Sequence, residues 1–252
     1  MKRRNFLSEM TWPEVREAVR SGCRTLILPL GATEQHGPHL PLATDTIRAE
    51  ALAERLAARV PGSLVAPTLP FGCSDEHSGF AGLLGLDHET LAGVILSLAR
   101  RASGWGIRRI VLLSAHGGNA RALELAALYL GRELSHLEVW YPEELASIGE
   151  ATARVGEKDG LSKRDLGLHA GESETSEMLF LRPDLVGEGS SGFTGDMEFV
   201  LERLYAGGLI SVTKSGVLGD PTRAEAGRGS RYLDAAAAEI SSRLPAHRSE
   251  PR

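Results

Sequence analysis

Between Gly31 and Thr46 the chain reads GATEQHGPHLPLATDT, which packs Glu34, His36, His39 and Asp45 into one short stretch broken by glycine and proline. Glu34 and His36 alternate, so in extended backbone both side chains point to one face. Asp45 falls where a helix should begin, and backbone N–H groups there can anchor its carboxylate. Two further clusters lie far along the chain. His116 is followed by Gly117, Gly118 and Asn119 in HGGN, where the glycines allow close approach of backbone. His169 and Glu174 sit in HAGESETS, at a junction from loop to helix.

Carboxylates mixed with imidazoles suit zinc, manganese or iron. Sites built from oxygen alone favour magnesium or calcium. Glu34, His36, Asp45, His116 and Glu174 are more ligands than one catalytic ion usually takes. A pair of divalent ions bridged by one carboxylate accounts for the number, and a bridging hydroxide would then be the nucleophile.

These groups need a scaffold that carries them to one place. TLILPL (Thr25–Leu30) reads as a buried strand, and Asp45–Val60 as a helix with apolar residues every three and four positions. SLVAPTLPFG supplies a second short strand. Asp87–Gly106 reads as a helix, RRIVLLSA (Arg108–Ala115) as the clearest strand, Asn119–Leu134 as a helix and LEVWYP as a further strand. Strands alternating with helices predict an α/β fold: a single domain of three α/β/α layers around a mostly parallel sheet. Ligands of such sheets bind beyond the carboxyl ends of the strands. The stretch after TLILPL and the HGGN after RRIVLLSA both fall at that edge.

The second half is less regular. Residues 148–168 read as a loop or mobile flap. A short helix is expected from Glu172, weak helicity in GFTGDMEFVLERLYAGG, and a closing helix in RGSRYLDAAAAEISSRL. The first 20 residues or so and the tail PAHRSEPR are expected to be peripheral to the single 1–252 domain.

Composition narrows the function classes. The 252 residues carry a net charge of −5, and no basic block exceeds the KRR near the start, so nucleic-acid partners are not expected. No apolar stretch approaches the roughly 20 residues of a membrane span. The N-terminus is too polar for a signal peptide, so a cytoplasmic protein is expected. Cys23 and Cys73 form neither a disulfide framework nor a CxxC zinc motif. GxGxxG and GxSxG are both absent, which leaves no dinucleotide fingerprint and no nucleophile elbow.

Five dispersed segments, GATEQHGPHLPLATDT, EHSGF, SAHGGN, HAGESETS and GVLGDPTRAEAG, together resemble the creatininase (creatinine amidohydrolase) family. The resemblance runs in order from about Thr25 to about Gly229. It implies a parallel sheet flanked by helices, a dinuclear metal centre, hydrolysis of non-standard C–N amide bonds, and homo-oligomers, with hexamers favoured. By position it makes Glu34, His36, Asp45 and His116 ligands, with Asp45 bridging, and His169 a proton shuttle. Glu174, rather than Glu172, is the choice for the remaining carboxylate. Gly117, Gly118, Asn119 and His77 are assigned to the substrate and its oxyanion.

Two departures stand out. Creatininase proper has a glutamate where this chain has Gly118. Many members read FPGT where this chain reads FAGL (Phe80–Leu83). The family includes enzymes that open creatinine, deformylate a formamidopyrimidine or trim the mycofactocin precursor peptide. The expected activity is therefore a metal-dependent amidohydrolase acting on a small amide or short peptide. The alternatives are a peptidase-like maturation enzyme for a mycofactocin-type precursor, and a metal-binding member without turnover.

Overall fold

The computed structural model describes residue 3 and residues 5–142, 145–195 and 197–245; most of the tail PAHRSEPR lies outside them. Four strands, β1 (Thr25–Leu30), β2 (Ser63–Val65), β3 (Arg109–Ser114) and β4 (Glu138–Trp140), form one sheet in the order β2-β1-β3-β4. Every pairing is parallel, and β1 with β3 sets the longest register, from Thr25 opposite Arg109 to Leu30 opposite Ser114.

Parallel neighbours require crossover connections, and helices supply them. After α1 (Trp12–Arg20), α2 (Thr44–Arg59) follows β1, α3 (His88–Gly104) follows β2 and α4 (Ala120–Glu133) follows β3. The strand pleat separates two cores. Leu26, Leu28 and Leu30 pack with Leu91, Ile95, Leu123 and Leu130 of α3 and α4. Ile27, Val111 and Leu113 pack on the opposite face with Leu52 and Leu56 of α2 and with Ala237 and Ile240 of the closing helix. Burial on both faces explains why TLILPL is apolar at nearly every position rather than alternating.

Pro29 sits inside this central strand, where a missing N–H would normally break a ladder. Its carbonyl faces the β2 side and accepts from Leu69 N at 3.0 Å, whereas the next carbonyl, Leu30 O, accepts from Ala115 N on the β3 side. The β2 pairing has already ended opposite Ile27, so the lost donor interrupts nothing on the β3 side.

The segment 148–168 is not a loop. It forms α5 (Leu145–Lys158) and the one-turn α6 (Lys163–Leu166). Its glycines and charges hid a helical face built from small residues: Ala151 and Ala153 are buried, and Gly156 lies against Tyr232 and Leu166. The remaining helices are α7 (Glu172–Leu181), α8 (Met197–Gly207) and α9 (Ala226–Arg243). Phe6 lies in the segment read as peripheral, yet it is 2% exposed and joins the core beside Val65.

Helices α7 and α9 press together at Gly229, where a Cβ would lie 2.0 Å from the Ser176 carbonyl oxygen. Gly229→Ala is expected to lower the unfolding free energy by about 1–3 kcal/mol. The backbone clash outweighs the gain of about 1 kcal/mol that Ala brings to a helix interior. Urea unfolding should show a lower midpoint at unchanged slope; an unchanged or higher midpoint would contradict the packing described.

Candidate metal centre

The connection after β1 folds back on itself, with His36 bridged to Leu40, and enters α2 at Thr44. Asp45 is thereby carried in the first turn of α2 towards the ends of β1 and β3. Its carboxylate is not held by backbone N–H groups, as the sequence suggested. Oδ1 lies 3.2 Å from His36 Nε2, and Oδ2 lies 3.3 Å from His116 Nδ1. One carboxylate thus faces a histidine with each oxygen. His116 follows β3 and sets its other nitrogen, Nε2, 2.8 Å from the Cys73 carbonyl. A proton on Nε2 donated to that carbonyl leaves the Nδ1 lone pair facing Asp45, the arrangement that orients metal-binding imidazoles.

Glu34 is fully buried. Its Oε2 is 3.3 Å from His116 Nε2, and its Oε1 is 3.2 Å from His77 Nε2 and 3.9 Å from His169 Nδ1. Glu174, in the first turn of α7, places Oε2 3.7 Å from His36 Nε2. Ala170 N donates to that same oxygen at 2.7 Å, and Arg48 donates to Oε1 at 2.6 Å. The Ala170 donor is aimed by an unusual backbone with φ of 50°. Such a left-handed conformation costs an L-residue about 1–2 kcal/mol, so the surrounding structure holds it in place.

Among the described residues, four groups of three donors could each hold a metal ion, and the ligand atoms within each group lie within 4.8 Å of one another. Two of them, Glu34–Asp45–His116 and His36–Asp45–Glu174, share Asp45. The other two are Glu34–His36–His169 and Glu34–Glu76–His77. Three oxygens of this set are a fit for cations because no hydrogen bond satisfies them. Glu34 Oε1, Glu34 Oε2 and Asp45 Oδ2 are buried oxygens with no hydrogen-bond donor. A buried carboxylate oxygen left unpaired costs more than about 1–3 kcal/mol, and a divalent cation removes that cost.

The charge states point the same way. Burial alone would lower the pKa of both His36 and His116, but facing carboxylates outweigh it. Asp45 and Glu174 hold His36 up at about 9, and Asp45 and Glu34 hold His116 up at about 10. Asp45 is held well below the usual carboxylate range, since His36 and His116 outweigh its burial. Burial lifts Glu34 to about 7. His169 is pushed down to about 3 by burial and by His36, and His77 to about 2 by burial and by the neighbouring imidazoles.

Other expectations meet different fates. Glu172 is two residues before Glu174, about 200° around the helix, and faces away. Its oxygens take donors from Ser176, Arg228 and Tyr232 at 2.6, 2.6 and 2.7 Å, tying α7 to α9. Asn119 is scaffold rather than a free oxyanion donor. Its side chain accepts from Cys73 N at 2.9 Å and donates to Gly31 O and Ser114 Oγ, while its own N–H turns back to His116 O. Gly117 and Gly118 lie in the same short 3-10 turn beside His116. His39 bonds Thr175 Oγ1 at 2.9 Å and stays outside all four donor groups.

Three contributors escaped the sequence reading. Gln35 sets its amide nitrogen 3.1 Å from His77 Nδ1 and 3.0 Å from His169 Nε2. Arg48 spans Glu174, Glu177 and the Ala115 carbonyl. Glu76 reaches the site from the residue before His77. The spacing of Arg48, three positions after Asp45 on a helix, was the one signal available.

The fold and these motifs meet in one family. The model for Creatininase, creatinine amidohydrolase, matches residues 8–244. The chain belongs to the creatininase family. It is 36% identical to the mycofactocin precursor peptide peptidase of Mycolicibacterium smegmatis over 82% of this chain and 79% of that protein. It is 34% identical to the creatinine amidohydrolase of Pseudomonas putida over 74% and 75%. A solved creatinine amidohydrolase (creatininase) superposes with a TM-score of 0.78 at 26% identity, covering 94% of this chain and 95% of the other. A mutant creatininase of Zn-Zn type superposes with a TM-score of 0.77 at 26% identity over 94% and 95%. Members of the family are amidohydrolases acting on C–N amide bonds. This chain carries their four-stranded parallel sheet with helices around it.

Proposed function

We propose that this creatininase-family hydrolase cleaves a C–N bond in a short peptide substrate of the mycofactocin-precursor kind, using two divalent ions per subunit. The observation that carries the two-ion reading is Asp45, whose two oxygens face different histidines in two donor groups. Glu34, Asp45 and His116 would hold one ion; His36, Asp45 and Glu174 the other. Zinc, manganese and iron all suit this mixture of imidazole and carboxylate. Bound there, the ions would supply a water acidic enough to attack at neutral pH and positive charge to polarise the scissile carbonyl.

The chain's own residues do the rest. His169 is neutral and fixed, with Nε2 2.7 Å from the Gln35 carbonyl. That leaves Nδ1 facing Glu34 as the atom that takes up a proton and passes it to the leaving nitrogen. His77 accepts from Gln35 at Nδ1, so its Nε2–H lies towards Glu34 Oε1, 3.2 Å away, and would donate to the substrate oxygen once a cation occupies that carboxylate. Gly117 and Gly118 N–H groups are proposed as further donors there.

A cavity of about 770 Å³ borders Glu174 and Arg48, between α5, α6 and the start of α7. Its walls include Ile148, Ala153 and Leu168 together with Glu150, Lys163 and Arg164. Clefts of this size take ligands larger than one small ring, which supports a peptide. The similarity to creatinine amidohydrolase favours a second reading, hydrolysis of a small cyclic amide. We further infer a homo-oligomer, hexamer favoured, working in the cytoplasm; the unpaired Cys23 and Cys73 support a reducing compartment.

Mass spectrometry of reactions with zinc, manganese or iron should show cleavage of a synthetic C-terminal fragment of a mycofactocin-type precursor and no opening of creatinine. Creatinine turnover without peptide cleavage would reverse the assignment. His169→Gln is expected to lower kcat about 10²–10³-fold while metal content stays at the wild-type level. Equal loss of metal and activity would make His169 a ligand instead.

A further inference from the structure

Glu76 is the carboxylate at the open face of the metal centre. It stands in the short turn Asp75–His77, with about a third of its side chain exposed, whereas Glu34, Asp45 and Glu174 are buried or nearly so. Its Oε1 lies 3.6 Å from His116 Nε2 and 4.0 Å from His77 Nε2. No hydrogen bond to the Glu76 carboxylate occurs among the described residues; its neighbours are the two imidazoles. Together with Glu34 and His77 it forms one of the four groups able to hold an ion.

Position 118 is glycine, and a Cβ there would lie 2.1 Å from the Cys73 carbonyl oxygen, 2.5 Å from His116 Nε2 and 2.7 Å from Glu76 Oε1, so Cys73 and His116 require the glycine as much as Glu76 does. The absent side chain at 118 leaves room for a carboxylate arriving from a different segment, beside the Glu34–Asp45–His116 group.

We propose that Glu76 is an additional ligand of the ion on the Glu34 side of the centre, which it shares with Glu34, closing its solvent side. This rests on the two-ion reading above. The buried donors fix where the ion sits. Glu76, on a turn and partly exposed, adds negative charge on the solvent side of that ion, so it tightens binding of that ion and not of the ion at His36 and Glu174. The Gly118 notch is then a requirement of the centre.

Calorimetric titration of the metal-free full-length protein with manganese and with zinc, backed by elemental analysis, tests this. Wild-type protein should take up two ions. Glu76→Ala and Glu76→Gln should bind one ion as wild type does and the other at least 10-fold more weakly, about the loss seen when a metal site's supporting groups are removed. Asp75→Ala, the adjacent carboxylate, should leave both affinities unchanged. The thermal midpoint of the metal-free variants should match metal-free wild type, which excludes misfolding as the cause. Two ions bound at wild-type affinity by Glu76→Ala would overturn the assignment and leave the two-ion reading intact. Fewer than two ions bound by the wild-type protein would overturn both.

Discussion

Asp45→Asn is expected to bind neither ion tightly and to lose at least about 10³-fold in turnover, the scale of removing a metal-activated water. The substitution preserves shape and removes one charge from the single side chain that both donor groups contain. Asparagine would turn an N–H₂ towards either His36 or His116, and an amide nitrogen cannot coordinate a cation through its lone pair. The measurement is thermal unfolding with and without metal. Each ion at 100 times its Kd stabilises the folded state by about 2.7 kcal/mol. Wild type should show two such increments and Asp45→Asn none. A variant that keeps both increments would show that Asp45 does not bridge.

Arg48→Met is expected to destabilise the metal-free protein by about 3–5 kcal/mol, the range for removing one partner of a buried ion pair. Arg48 is largely enclosed, with 15% of its side chain exposed, holding Glu177 Oε2 and Glu174 Oε1 each at 2.6 Å. These carboxylates and Asp45 raise its pKa above that of an ordinary arginine, despite burial. Burial pushes the Glu177 pKa up, and without the guanidinium it would rise further. Glu174 would also lose the contact that fixes its rotamer. Denaturant unfolding should show the loss, and metal should restore part of it, because an ion at Glu174 replaces one of the missing partners. Unfolding at the wild-type midpoint would mean that the arginine is dispensable.

Much of this architecture was legible one residue at a time. The buried strand Thr25–Leu30, the helix from Asp45 and the strand ending before His116 follow from hydrophobic period and length, and together they placed two donor clusters at one sheet edge. Pro29 did not mislead, because the apolar run outweighed it. Residues 148–168 misled because alanine and glycine make a helical face with little hydrophobic contrast. Glu174 already stood in the donor set read from the residues; the helix makes the choice over Glu172 physical, since residues two apart cannot face one point. Gln35 and Glu76 were unreadable for a common reason. Each acts through a contact with a segment remote in sequence or through a gap left by a glycine, and neither leaves a periodic trace.

The left-handed turn at Ala170 joins His169 to the first turn of α7, and Ala170 N sets Glu174 in place. Glu34 and Glu174 therefore meet only after some 140 residues of intervening chain have been ordered, a long loop to close. No fragment ending before α7 contains both halves of the pocket for cations. During refolding, tight capture of manganese should consequently lag the recovery of helical signal. It would serve as a clock for the final docking of the C-terminal third onto the sheet.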